Sequence, residues 1–336
     1  MSVSKKLTAS ASPHIRSSYT VTGIMLDVII ALLPSFIAAL IIFGYRVFMV
    51  TLVTVGTAVL AEYLSRKVMR RTNTIDDLSA VVTGLLLAFN LPVSIPLWMA
   101  AIGSIVAIVV VKQMFGGIGQ NFVNPALVGR IVLMSSFPTA MADWTTDSKY
   151  VITTASPLSV LGTAFKSGTL DFGDNMPSLT KMLLGLRQGS MGEVCAIALL
   201  IGFVYLLIRR VISPAIPLSY IGTVAVIVFI AGKGSLVFTA YHVLAGGLLL
   251  GAIFMATDYT TCPINLKGKI VYGIGCGVIT ALIRLFGSLP EGVSFSIIIM
   301  NILVPHIERL TASKPFGTPK EEKKAKKAAG KEGAEA

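Results

Sequence analysis

Three stretches carry side chains that could do chemistry in an otherwise oily chain. The first, DSKYVITTASPLSVLG (Asp147–Gly162), sets the hydroxyls of Thr153, Thr154 and Ser156 just before Pro157. Such a cluster is either a hydrogen-bonded turn or a site of attachment. The second, FGGIGQNFVNPALVGR (Phe115–Arg130), is rich in glycine, then in amides. Gly116, Gly117 and Gly119 allow the backbone close to a ligand or a neighbouring helix. Asn121 and Asn124 supply donors and acceptors, which at membrane depth either line a cavity or pair with one another. The turn either lines a ligand or caps helix ends. The third, MATDYTTCP (Met255–Pro263), puts Asp258 and three threonines at the exit of an apolar run. The helix dipole disfavours an anion there, so a cation contact or a hydrogen-bonded role is expected. Carboxylates, hydroxyls and carbonyls suit hard cations such as Na⁺. Asp76 and Asp77 open another apolar run; helix capping is their simplest use, with Asp77 a second candidate cation contact.

The elements that must hold these residues are apolar. Hydrophobic residues make up 54% of the 336, charged residues 13%, and the mean hydropathy is +0.81. Soluble domains carry about 25% charged residues. The composition therefore specifies an integral membrane protein. No cleavable leader is read in the first twenty residues, where Lys5, Lys6 and Arg16 precede any apolar core.

A span needs roughly 20 apolar residues. Uninterrupted runs are expected over Ile24–Phe43, Val47–Val68, Ile95–Met114, Glu193–Ile208, Pro217–Ala231, Leu236–Ala256 and Ile270–Phe286. Three more, Leu78–Leu91, Phe122–Phe137 and Val293–Ile307, read as short or broken, because Gly84 and Pro92, Pro125 and Gly129, and Pro305 interrupt them. The chain divides into an N-terminal tail (1–22), a first membrane repeat (23–137), an extracytoplasmic loop (138–190), a second repeat (191–310) and a Lys/Glu/Ala tail (311–336) too polar to bury a core.

Charge sets the orientation. Arg66, Lys67, Arg70 and Arg71, the pair Arg209 and Arg210, Lys267 with Lys269, and the basic tail fall on one side. The opposite loops carry few cations, so both termini are expected in the cytoplasm. This distribution also accounts for the net charge of +12 without nucleic acid. Cys195, Cys262 and Cys276 have no CxxC spacing, and His14, His242 and His306 are too scattered for a haem or metal site. No Walker loop is present, and the Gly-rich turn lacks the strand that a dinucleotide fingerprint requires.

The two halves echo each other. TGLLLAFNLP (Thr83–Pro92) is similar to GGLLLGAIFM (Gly246–Met255), and KQMFGGIGQNFVNPA (Lys112–Ala126) to IRLFGSLPEGVSFSI (Ile283–Ile297). Two repeats of about five spans would have opposite topology, with a site near the midplane where they meet.

DDLSAVVTGLLLAFNLP, FGGIGQNFVNPALVGR, MATDYTTCP, GKIVYGIGCGVITALIR and PEGVSFSIIIMN occur in one order. In that order they resemble the NqrB/RnfD family, from Ser12 to Leu310, and the RnfD branch rather than the longer NqrB. The resemblance implies an all-α integral membrane fold like that of urea transporters, with about ten transmembrane helices in two inverted repeats with re-entrant pieces. It implies membership of a ferredoxin:NAD⁺ oxidoreductase complex in the inner membrane that moves Na⁺ or H⁺. Its partners would be the other Rnf subunits: the flavin-bearing RnfG, the iron–sulfur membrane proteins RnfA and RnfE, and the peripheral RnfB and RnfC. It further implies FMN joined through its phosphate to an S/T-G-A-T motif by a flavin transferase. That motif falls on Thr153-Thr154-Ala155-Ser156, followed by Pro157, with Thr154 in place of Gly and Ser156 in place of the acceptor Thr. A second, noncovalent riboflavin is implied near Gly117, Gly119, Asn121, Asn124 and Arg130. The expected role is an electron relay coupled to ion translocation. The alternatives are a solute channel of the same architecture without flavin, and a structural anchor for redox partners.

Overall fold

The computed structural model describes residues 19–144, 156–168, 176–193, 195–287 and 291–312. The segment before Tyr19, most of the tail beyond Thr311, and the hydroxyls of Thr153 and Thr154 lie outside the described residues.

Every regular element among the described residues is helical. The first half holds α1 (Val21–Phe43), α2 (Tyr45–Val68), a single 3₁₀ turn (Ile75–Asp77), α3 (Ser79–Phe89), α4 (Leu97–Ile105) and α5 (Pro125–Ser136). α4 widens into π-turns over Val106–Gln113. Three short helices follow: α6 (Pro138–Ala142), α7 (Pro157–Ser167) and α8 (Leu179–Leu184). The second half holds α9 (Ala196–Ile208), α10 (Ala215–Ala231), α11 (Leu236–Leu244), α12 (Leu248–Leu250), α13 (Leu266–Phe286) and α14 (Val293–Thr311). α12 runs into a π-stretch at Gly251–Met255.

Four helices, α1, α2, α13 and α14, are long and apolar enough to cross a membrane, and α11 with α12 and its π-stretch makes a fifth, bent candidate. α3, α4 with its π-stretch, α5, α9 and α10 are shorter apolar helices. The chain is a membrane protein, with a lipid-facing surface of exposed Leu, Ile, Val and Phe.

Two expectations are corrected. The run Leu236–Ala256 is not one helix: it bends by 65° between α11 and α12, where Gly246 takes φ +66°. The break leaves carbonyls at the end of α11 without helical partners. Arg284 supplies them, donating to the His242 carbonyl at 2.5 Å and the Ala245 carbonyl at 3.2 Å. Conversely, Pro305 does not break α14, which runs unbroken through it, as α1 does through Pro34. A proline forfeits one helical hydrogen bond, and packing in a membrane helix absorbs that loss.

Small residues set the close packing. A Cβ on Gly84 would stand 2.8 Å from the Val55 Cα, so α3 lies directly on α2. A Cβ on Gly277 would stand 3.0 Å from the Tyr220 carbonyl oxygen, bringing α13 onto α10. α2 also packs on α4, and α1 packs across the halves on α9.

α5 and α14 pin each other. Arg130, midway along α5, donates to Ser294 Oγ at 3.1 Å and pairs with Glu291, both at the start of α14. Asn301, midway along α14, faces the start of α5. With its nitrogen toward acceptors, its amide donates to the Thr261 and Ile297 carbonyls, and its oxygen accepts from Asn124 N at 3.2 Å. Arg130 and Asn301 are 171 residues apart, the separation of Phe115 and Phe286. Asn301→Leu removes the acceptor and buries the Asn124 N–H unpaired. A loss of about 1–3 kcal/mol is expected in denaturant titration of the purified chain in micelles; unchanged stability would refute the pinning.

Candidate functional site

The sequence-selected residues gather in two cavities. The inner one, about 470 Å³, is lined by the start of α1, by α3, by the Gly/Asn turn and by Asp258. Asn124 caps α5: its Oδ1 accepts from Ala126 N at 3.1 Å and Leu127 N at 3.4 Å. Pro125 takes the first helical position, where no N–H is needed. The Asn124 amide nitrogen crosses to the Met255 carbonyl at 3.2 Å. Asn121 donates to Thr260 Oγ1 at 3.1 Å, which donates to Asp258 Oδ2 at 3.0 Å. The turn therefore does both things open in the sequence: it caps a helix, and it lines a cavity.

Gly119, at φ +85°, lines this cavity, whereas Gly117, at φ +105°, packs against the Arg66 guanidinium. Asp77 caps α3 by accepting from Ser79 N at 2.8 Å and from the Ser79 hydroxyl; it does not line the cavity. Among the described residues no three His, Cys, Asp or Glu side chains converge as a metal cage.

Sequence reading overlooked the polar centre beside the inner cavity. Glu62, wholly buried in α2, accepts from Lys112 Nζ at 2.9 Å, Gln113 Nε2 at 2.8 Å and Thr74 Oγ1 at 3.0 Å. Lys112 also donates to Ser79 Oγ at 2.5 Å, and both line the cavity. The available signal was an acidic residue within an apolar run, which is costly unless partnered.

The outer cavity, about 240 Å³, brings together Ser156, Pro157, Asn90, Arg130, Arg187 and Glu291. Arg130 thus belongs with Ser156, not with the Asn-rich turn where the resemblance put it. Ser156 caps α7: its Oγ accepts from Ser159 N at 3.3 Å, and Pro157 opens the helix. Arg130 Nη1 donates to Asn90 Oδ1 at 2.8 Å and meets Glu193 Oε1 at 3.4 Å. Arg187 Nη2 donates to the Glu193 carbonyl at 2.9 Å. Arg284 is buried close by, against Gly246. Three arginines thus face two glutamates, an excess of one positive charge, and the Nε atoms of all three lack a partner among the described residues. Buried cations need compensation. A phosphoester on Ser156, at the start of α7, would provide it, so the residues present fit an esterified phosphate.

A model of the NQR2, RnfD, RnfE family matches residues 8–317. The chain belongs to that family. This RnfD-type chain is 44% identical over 327 residues to the RnfD-type member of the Na(+)-translocating ferredoxin:NAD(+) oxidoreductase complex of Acetobacterium woodii, covering 95% of this chain and 98% of the relative. It is 42% identical over 318 residues to the corresponding member of the proton-translocating ferredoxin:NAD(+) oxidoreductase complex of Clostridium ljungdahlii, covering 93% and 96%. It is 36% identical over 340 residues to that of the ion-translocating oxidoreductase complex of Stutzerimonas stutzeri, covering 90% and 93%. The first two relatives are named for different ions at nearly equal identity to this RnfD-type chain.

Proposed function

We propose that this chain is the membrane electron-relay subunit of an ion-translocating ferredoxin:NAD⁺ oxidoreductase, working with the other subunits of an Rnf complex and not as a catalyst alone. Its ten apolar segments would form two inverted repeats, α1–α5 and α9–α14. The matched packing of α2 on α4 and of α10 on α13, and the reciprocal pinning of α5 and α14, support that reading. The inner cavity would face the cytoplasm, because Arg66, Arg209 and Lys267 lie at its end of the helices, and both termini would lie on that side.

One observation carries the proposal: the two cavities lie back to back. Leu86 lines the inner one and Asn90, four residues on along α3 and its cap, the outer; Ala126 and Arg130 repeat that spacing on α5. Four residues are one helical turn, roughly 6 Å of wall. A flavin in each cavity would take up and pass on single electrons across it, while the protein sets position and electrostatics. Ser156 Oγ would carry the ester of FMN, and Arg130 and Arg187 would face its phosphate. Asn121, Asn124 and Lys112 would hold the polar edge of a noncovalent riboflavin, with the apolar walls excluding water. Asp258, hydrogen-bonded to Thr260 and Thr261 on the inner wall, is where a coupled cation would approach.

The test is flavin fluorescence of the denatured chain in a gel, with mass spectrometry of the Tyr150–Lys166 peptide. The mass of FMN is expected on Ser156, and Ser156→Ala is expected to abolish the fluorescence entirely. An unmodified peptide from chain made alongside a flavin transferase would refute the ester. Back-to-back cavities would also suit a solute channel, which would purify colourless.

A further inference from the structure

The wall between the cavities has a second consequence, which does not depend on any flavin. Two cavities opening from opposite ends of the helices would join into a continuous path if one turn of α3 and α5 gave way. Four side chains fill that turn. Asn90 Nδ2 lies 3.5 Å from Met255 Sδ, and the Met255 carbonyl accepts from Asn124. Arg130 Nη1 closes the outer side on Asn90 Oδ1 at 2.8 Å. The wall is held by side-chain contacts between elements of both halves, not by a continuous run of backbone.

Charge at this place is unusually arranged. Arg130 is almost wholly buried, and it holds Glu193 and Glu291, the two carboxylates on the outer side of the wall. A guanidinium keeps its proton under all ordinary conditions. Its field is weakly screened in a site of low dielectric. A fixed cation at a constriction repels cations that try to pass. Without it, the two carboxylates would face the gap and attract them.

We propose that Arg130 is an electrostatic plug: it bars Na⁺ and other small monovalent cations from a path that the paired cavities otherwise leave one side-chain layer from open. Electrons can tunnel through such a layer, but ions cannot. The arrangement lets the two repeats bring cavities together without discharging the membrane.

The experiment uses the purified full chain in phosphatidylcholine liposomes. A valinomycin-set potassium potential drives Na⁺ inward, a Na⁺-sensitive dye inside reports its arrival, and osmotic light scattering reports water. The wild-type chain is expected to be tight to Na⁺. Arg130→Gln is expected to raise Na⁺ uptake on the order of a hundredfold, the effect of one unit charge at about 6 Å through an effective dielectric of about 20. Met255→Ala opens the wall with the charge in place, and should pass water but not Na⁺. A monodisperse Arg130→Gln chain that stays tight to Na⁺ overturns the proposal. So does Na⁺ flux through Met255→Ala. If Arg130→Gln does not fold, Met255→Ala decides alone: water without Na⁺ supports the plug. Passage of neither means a packed wall rather than a plugged path, which overturns it.

Discussion

Glu62→Ala should cost about 3–5 kcal/mol, because it strands the Lys112 ammonium in a buried site. Lys112 loses its only ion-pair partner among the described residues and keeps only the Ser79 hydroxyl. Thr74 and Gln113 lose their acceptor at the same time. Breaking a buried pair from one side is far more damaging than replacing both partners with apolar residues of similar size. The double variant Glu62→Leu with Lys112→Met should therefore recover most of the loss. Denaturant titration in mixed micelles measures both. A single variant as stable as the wild type would show that the pair does not hold α2 to α4. A double variant no better than the single would show that the damage is steric.

The second large effect is expected at the crossing of α1 and α9. Gly202 has no room for a side chain: a Cβ there would collide with the Ala31 carbonyl oxygen and stand 3.0 Å from Phe254 Cζ. Backbone cannot step aside as a flexible side chain can, so Gly202→Leu must separate the two helices. Overpacking costs roughly 1–3 kcal/mol where a core can adjust, and more where backbone meets backbone. The start of α1 and Leu206 of α9 line the inner cavity, so the damage should reach the noncovalent ligand first. Gly202→Leu chain should lose dissociable flavin while keeping any flavin bonded to Ser156, an asymmetry that acid extraction resolves. Gly222→Leu is the matched control, since a Cβ there meets nothing within 4 Å. Equal behaviour of the two variants would refute the crossing as the cause.

Membrane class, helix content and the approximate helix positions were legible, because each rests on runs of apolar residues that composition exposes directly. The echo between the halves was also legible, and its offset of 171 residues recurs between Arg130 and Asn301. Interruptions read less well. Gly246 and Gly247 sit inside an unbroken apolar run and were passed over, although that is where the helix bends; Pro305 invited a break that packing overrode. Of the candidate residues, Asn121, Asn124, Gly119 and Asp258 do meet in one cavity, and Ser156, Pro157 and Arg130 in another. Assigning Arg130 correctly needed tertiary structure, since neighbours on α5 point into different cavities. Glu62 and Lys112 are 50 residues apart, and nothing local marks them as partners.

The mutual pinning of α5 and α14 also bears on how the chain is made. The ribosome delivers Arg130 long before Glu193, Glu291 or Ser294 exist to receive it. An unpaired arginine at the centre of a membrane helix costs about 2.5–3.5 kcal/mol on insertion scales. The nascent first half therefore carries an uncompensated charge through most of translation. α5 should linger at the membrane surface or in the insertion machinery, and seat fully only when α14 emerges. Assembly of the two halves is then a single late event, timed by the last helix of the chain.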